Sequence, residues 1–168
     1  MNGDPLLYQK LKELDIPFEY YEHPPAPTIE IAIEFWKDIS ETTHCKNLFF
    51  RNHKGNRHYL VIFDHRQTLA IRDLEQRLKQ GKLSFASDQR MEKYLGLKPG
   101  SVSPFGLIHD EKHHVYLFLD ENLKKMPKIS FHPNDNRASL VLAFHDFLKF
   151  LNHIGNGYEF LELYSEEN

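Results

Sequence analysis

Two apolar-rich runs on either side of a polar, glycine-containing turn constrain this chain more than any other feature. Lys46 to Arg51 and His58 to Phe63 flank Asn52-His53-Lys54-Gly55-Asn56. Runs of that length, bounded by turn residues, read as the two strands of a hairpin. The flanking segments are of mixed type. Asp4-Pro5 reads as a helix cap with proline in the first turn, and Leu7, Leu11 and Leu14 follow at helical spacing until Pro17. Phe18 to Tyr21 is a short strand candidate, stopped by the stiff, extended run His23-Pro24-Pro25-Ala26-Pro27. Thr28 can cap a helix whose apolar face holds Ile29, Ala32, Ile33 and Trp36; Ile31 and Phe35 fall outside that stripe and point to apolar contacts on a second side.

Beyond the hairpin, Leu69 to Ile71 reads as a third short strand. Asp73 reads as the cap of a helix carrying Leu74 and Leu78 and ending at Gly81. Leu83 to Ala86 is too short to assign. Ser87 caps a helix with Met91 and Leu95 inward and Gly96 past its end. Val115 to Leu119 and Ile129 to Phe131 read as strands. Ser139 to Ala143 admits two readings, the start of a long helix or a strand. The strand is preferred, because Leu140-Val141-Leu142 suits a buried strand and His145-Asp146 offers a helix start for about Asp146 to His153. Gly155 and Gly157 then break the chain before a last strand, Tyr158 to Leu163. Strands outnumber helices but are interleaved with them, so the fold class is a mixed α/β (α+β) single domain over residues 1–168.

A chain of 168 residues is long enough to bury a real core. Its one cysteine, Cys45, rules out an intramolecular disulfide. No apolar run approaches the ~20 residues of a membrane span and the N-terminus lacks a signal-peptide pattern, so no membrane contact and a cytoplasmic location are expected. The net charge of −3 hides an asymmetry. Thr42 to Lys82 holds nine basic residues against three acidic ones. Such a segment is either a solvated face or a surface that holds a polyanion over a short stretch. A binder of long DNA duplexes would be basic overall, so DNA is not expected.

The chemistry-bearing motifs are few. Eleven histidines invite a metal reading, but His44 beside Cys45 and the adjacent His113-His114 lack metal-ligand spacing, so no metal is expected. The nucleophile-elbow, Walker and dinucleotide glycine patterns are absent, and no cofactor is expected. Three stretches remain: Lys46-Asn47, Gly100-Ser101-Val102-Ser103-Pro104, and Phe131-His132-Pro133-Asn134-Asp135-Asn136. Taken singly each has an ordinary structural use, such as a lysine stem covering apolar surface or a glycine making a turn.

Together, and in this order, they resemble a known family, the prolyl-tRNA-synthetase-associated editing domain or YbaK-like superfamily. The likeness is closest to the free-standing prolyl-tRNA editing proteins that deacylate Ala-tRNA(Pro). It rests on Glu22-His23-Pro24-Pro25 with Thr28, His44 to Phe49, Gly81 to Phe85, Leu95 to Leu107, and Phe131-His132-Pro133 with Asn136. The departures are Asn134-Asp135, where a more apolar residue commonly follows the proline, and Arg137 to Leu140, where the family tends to show threonines.

The resemblance implies a central, mixed, mostly antiparallel sheet of about six or seven strands with surrounding helices. It also implies hydrolysis of the ester between a wrong amino acid and the terminal adenosine of tRNA. In that scheme Lys46, Gly100, Ser101 and His132 form the catalytic group, with the backbone N–H groups from Gly100 onward as oxyanion donors, His132 orienting polar groups, and a ribose hydroxyl helping to activate water. Thr28, Ile29, Ile33, Asn47, Phe49, Val102, Ser103, Pro104 and Asn136 are the expected substrate contacts. Arg51 and Lys82 are the expected contacts to the acceptor end of a mischarged tRNA(Pro), and prolyl-tRNA synthetase is a further candidate partner. The rival readings are a deacylase of another small aminoacyl-tRNA, such as Cys-tRNA(Pro), and a non-catalytic module that binds an amino acid or aminoacyl group.

Overall fold

The structure is a computed structural model and describes residues 1–165. The single-domain expectation extends three positions further, outside the described residues. Helix α1 (Pro5–Glu13) starts where Asp4 accepts a hydrogen bond from the Leu6 N–H at 3.0 Å, and it buries Leu7 and Leu11. Strand β1 (Glu19–Glu22) follows, then the proline run and α2 (Ile29–Trp36), capped by Thr28. The hairpin is β2 (Thr42–Asn52) and β3 (His58–Asp64), paired in register from Cys45↔Asp64 to Arg51↔His58. After it come α3 (Ile71–Leu78), β4 (Leu83–Phe85) and α4 (Asp88–Leu95). A 3-10 turn over Pro104–His109 leads to β5 (Val115–Asp120), followed by β6 (Lys128–Phe131), β7 (Ala138–Ala143), α5 (Phe144–Ile154) and β8 (Tyr158–Leu161).

Among the described residues the strands number eight, in the order β1-β7-β6-β2-β3-β5-β8, with β4 also paired to β2. Four pairings are antiparallel (β1 with β7, β6 with β7, and β2 with both β3 and β4) and three are parallel (β2 with β6, β3 with β5, β5 with β8). Both faces of the sheet are covered, and β3 shows how. All seven of its residues are buried. Leu60 and Ile62 face the larger core with α1, α4, α5 and Phe105, whereas Tyr59, Val61 and Phe63 face a second core with Leu74 and Leu78 of α3. A strand buried on both faces reads as a continuous apolar run, as His58 to Phe63 does.

Several local expectations change. Leu69 to Ile71 forms no strand, because Ile71 already opens α3, and Leu69 and Ile71 pack against the second core. Asp73 lies in the first turn of α3 rather than at its cap, which is Ala70 and has no side-chain bond. The helix ends at Lys79 in the left-handed region (φ 57°), two residues before Gly81. Helix α5 begins at Phe144, directly after β7, and β8 stops at Leu161.

Strand β2 has an unusual position. On the edge opposite β3 it pairs with β6 only over Thr42–His44 and with β4 only over Phe50–Asn52. Phe49 still accepts from the Ala86 N–H at 2.9 Å, so the open stretch is Cys45 to Leu48, four residues or about 14 Å of strand without a β partner on that edge. The site described below occupies this gap.

The N-terminus is strapped to the far side of the same region. The Asp4 N–H donates to the Pro133 carbonyl (3.0 Å), and Asp4 Oδ2 lies 2.6 Å from His109 Nε2 and 3.2 Å from Asn134 Nδ2. Replacing Asp4 with Ala removes the cap and the side-chain contacts to His109 and Asn134, while the backbone bond to Pro133 remains. The expected loss is about 1–2 kcal/mol, read as a lower urea midpoint at unchanged m-value; an unchanged midpoint would show that the strap does not stabilise the fold.

Candidate active site

The gap in β2 opens into a cavity of about 350 Å³. Its floor is Cys45, Lys46, Asn47 and Leu48. Adjacent residues on a strand point to opposite faces, yet both Lys46 and Asn47 reach the cavity because no neighbouring strand covers that edge. One wall is β6 and its continuation, Ser130, Phe131 and His132. Opposite lie the end of the proline run and α2, with Ala26, Pro27, Thr28, Ile29, Glu30, Ala32 and Trp36. Gly100 and Val102 close the remaining side.

Gly100 is there for a physical reason. Its φ is +84°, and a Cβ on it would sit 3.1 Å from Cα, Cβ and the carbonyl oxygen of Pro27. The loop and the proline run therefore meet backbone to backbone, which no larger residue permits. The Ser101 N–H is engaged by the Lys98 carbonyl at 3.2 Å, whereas the N–H groups of Gly100 and Val102 make no hydrogen bond within the described residues. Ser103 and Pro104 lie outside the cavity. The Ser103 hydroxyl accepts from the Phe105 N–H (3.1 Å), and Pro104 opens the buried 3-10 turn.

The polar side chains differ in what they hold. Lys46 Nζ donates to the Gln67 carbonyl at 3.3 Å, on the turn that follows β3. That turn is itself held by Asp64, which accepts two bonds from Arg66 Nε and one from Nη2 at 2.6 Å. Asn47 Nδ2 reaches the Cys45 carbonyl only at 3.5 Å, and its Oδ1 is buried without a partner among the described residues. His132 Nδ1 lies 2.7 Å from the Ala138 carbonyl. A carbonyl only accepts, so Nδ1 carries the proton and Nε2 presents a lone pair. Burial pushes the His132 pKa below its ordinary value, outweighing the opposite effect of that hydrogen bond, so the neutral ring is favoured.

A second set of polar groups only builds the walls. Trp36 Nε1 donates to Ser139 Oγ (3.2 Å), and Ser139 in turn lies 3.0 Å from His23 Nε2. His23 Nδ1 lies 2.9 Å from the Pro24 carbonyl, so one neutral tautomer satisfies the whole chain of bonds. Thr28 Oγ1 accepts from the Ile31 N–H at 3.4 Å, and the Asn136 carbonyl accepts from the Ala26 N–H at 3.0 Å. Asn136 thus fixes the proline run from outside the cavity. Ile33 is 41 % exposed and does not line the cavity; Phe49 is buried in the main core, with its ring 5.6 Å from that of His58. Arg51 donates to the carbonyls of Asn52 (3.2 Å) and His53 (2.9 Å), so its guanidinium folds back on the hairpin tip. Lys82 lines a separate basic hollow beside that tip, with His53, Lys54 and Arg57.

The cavity residues not expected from the sequence include Glu30, Ala32, Trp36, Leu48 and Ser130. Ala32 and Trp36 carried a signal, the apolar stripe of α2, but a stripe does not tell core from cavity wall.

A profile described as aminoacyl-tRNA editing domain matches residues 23–150, which includes every wall of the cavity. The chain belongs to the aminoacyl-tRNA editing domain family. Over 164 residues it is 40 % identical to a protein of Acetoanaerobium sticklandii named prolyl-tRNA editing protein ProX, covering 97 % of this chain and 99 % of that one. It is 32 % identical to prolyl-tRNA synthetase associated domain-containing protein 1 of Mus musculus, over 89 % of this chain and 90 % of that one. Among solved structures, a putative trans-editing enzyme for prolyl-tRNA synthetase superposes with a TM-score of 0.67, at 20 % identity, covering 95 % of this chain and 98 % of that one. That likeness shows the shared fold.

Gly81 provides a control for Gly100, since it also has a left-handed φ (+78°) but nothing within 4 Å of an added Cβ. Gly81→Ala is expected to cost only the left-handed strain, about 1–2 kcal/mol. Gly100→Ala should cost more in the same urea titration, because Pro27 must also move. Equal losses would mean that the loop does not seal against the proline run.

Proposed function

We propose that this editing-family chain deacylates mischarged Ala-tRNA(Pro) in trans, releasing the wrong amino acid before it reaches the ribosome. The observation that carries this reading is the set of groups that converge on one small cavity: the Lys46 ammonium, which spends one donor on the Gln67 carbonyl and keeps two, the unengaged Gly100 and Val102 N–H groups, and the His132 lone pair. The family membership and the name of the Acetoanaerobium sticklandii relative support the substrate class.

An aminoacyl ester is an activated acyl group, so hydrolysis needs positioning and charge stabilisation more than a strong nucleophile. Water attacks the ester carbonyl, and the negative charge that develops on oxygen is met by the N–H groups of Gly100 and Val102 and by Lys46. The ribose oxygen leaves with a proton. Neutral His132 accepts a hydrogen bond from the attacking water or from a ribose hydroxyl and so orients it. Ser101 contributes the turn rather than a donor, since its N–H is held by Lys98.

The walls give a steric logic. A synthetase that binds proline cannot reject the smaller alanine by affinity alone, because a missing methylene is worth only ~1–3 kcal/mol. A second site can instead exclude the larger side chain. Ile29, Ala32, Trp36 and Leu48 are the apolar surfaces that would do so, with Ile33 and Phe49 outside the cavity. The tRNA body is held through the basic hollow, where Lys82 rather than the internally bonded Arg51 presents its charge; docking on prolyl-tRNA synthetase is a further part of this reading.

Lys46→Ala should reduce the deacylation rate of Ala-tRNA(Pro) by 100-fold or more, on the order of an oxyanion donor, while leaving the melting temperature within a few degrees. Assays on alanyl-, cysteinyl-, seryl- and prolyl-tRNA(Pro) set the substrate; turnover of none would favour a non-catalytic binder. The pH profile follows from His132. Its folded pKa lies below the ordinary 6.5, so the required neutral form is present throughout the neutral range and is lost only on acidification below that value. Hydrolysis corrected for the spontaneous rate should fall on acidification below about pH 6.5; a rate that rises on acidification would contradict an active neutral His132.

A further inference from the structure

The hydrolytic scheme leaves one charged residue of the cavity without a task. Glu30 is the single carboxylate among the described residues that line it. One turn further along α2, Glu34 pairs with Lys37 at 3.4 Å, whereas Glu30 makes no ion pair and no hydrogen bond among the described residues. Its backbone is well fixed. Glu30 lies in the first turn after the Thr28 cap, Pro27 packs against Gly100, and the far end of α2 is tied to β7 through Trp36 and Ser139. Across the cavity, on β2, stands Lys46, the only amine in the lining. The cavity is therefore electrically polarised, negative at the α2 rim and positive at the β2 floor.

We propose that Glu30 is a specificity residue, receiving the free α-ammonium of the aminoacyl ester. The inference rests on the editing reading and deepens it. In such an ester the ammonium and the carbonyl are separated by one carbon, so the substrate is itself a short dipole. Lys46 repels the ammonium and attracts the carbonyl oxygen, while Glu30 does the reverse. Only one orientation satisfies both, and it places the carbonyl toward Lys46 and the free N–H groups of Gly100 and Val102. An ester whose α-nitrogen is acylated, as in peptidyl-tRNA, has no positive charge there and leaves Glu30 without a partner. The same cavity thereby separates aminoacyl esters from peptidyl esters, a distinction that side-chain size does not make.

The test compares alanyl-tRNA(Pro) with N-acetylalanyl-tRNA(Pro), using the wild-type chain and Glu30→Gln, with Glu30→Asp as the charge-conserving variant. The wild type should prefer the free amine at least tenfold in kcat/KM. Glu30→Gln should lose about tenfold on alanyl-tRNA, mainly in KM, as expected for one partly exposed charge-assisted contact. It should leave the N-acetyl substrate unchanged, so the preference collapses, and Glu30→Asp should restore part of it. Equal losses on both substrates would assign Glu30 to the helix alone and overturn the proposal, as would a preference that survives in Glu30→Gln. A wild type that cleaves both esters equally overturns it while sparing the editing reading; one that cleaves neither overturns both.

Discussion

The unpaired edge of β2 is the constraint on which the rest of the structure depends. A strand that has β3 on one side, and β6 and β4 only at the two ends of the other, exposes its middle inside an otherwise covered sheet. Such an edge must be covered, because a bare strand edge invites pairing with other chains and leaves backbone groups without partners. Here the cover is not another strand but α2 and the Gly100 loop, which meet at the Gly100–Pro27 contact. Cover of that kind seals the edge without filling it, and the residual space is the cavity. Fold and site therefore have one cause.

Within the gap, polar groups fall into two sets. One set is engaged in holding the walls: Thr28, His23, Ser139, Trp36, Ser103 and the Ser101 N–H all have partners in the scaffold. The other set retains capacity: Asn47 Oδ1, the N–H groups of Gly100 and Val102, and the carboxylate of Glu30. Buried polar groups without partners are costly and are normally satisfied. Asn47 Oδ1 is such a buried atom in the cavity lining, and with the partly buried Gly100 and Val102 N–H groups and the exposed Glu30 carboxylate it leaves hydrogen-bonding capacity there for a ligand. His132 belongs to both sets, one ring nitrogen bound to Ala138 and the other free, and so links wall and chemistry.

Much of this was legible in the sequence, and what was not has a common reason. The hairpin, the capped helices α1, α2 and α4, and the β7–α5 junction follow from local patterns of period two or 3.6 and from turn residues. Lys46, Gly100, Val102 and His132 were visible as residue types, and they meet in one cavity. The gap itself was not visible, because it depends on where β6 and β4 begin and end against β2, pairings between residues far apart in the chain. The same blindness explains the individual misplacements. Ile33 and Ala32 are neighbours in sequence, but the helix turns one to solvent and the other to the cavity. Phe49 continues the alternation of β2 into the core beyond the open stretch. Arg51 has the charge expected of a tRNA contact, yet local carbonyls already hold it. The strand expected at Leu69–Ile71 failed for a simpler reason: three apolar residues carry no period, and the helix that follows took the last of them.

The central claim is that the small aminoacyl group is held in the β2 gap by main-chain donors of the Gly100 loop. The most direct measurement is an amide ¹H–¹⁵N titration with a non-hydrolysable analogue, 3′-alanylamino-3′-deoxyadenosine. The largest shifts should fall on Gly100 and Val102, with smaller ones on Asn47 and Ser130 and none at the hairpin tip. Shifts confined to the basic hollow around Lys54 and Lys82, with Gly100 and Val102 unmoved at saturation, would contradict it.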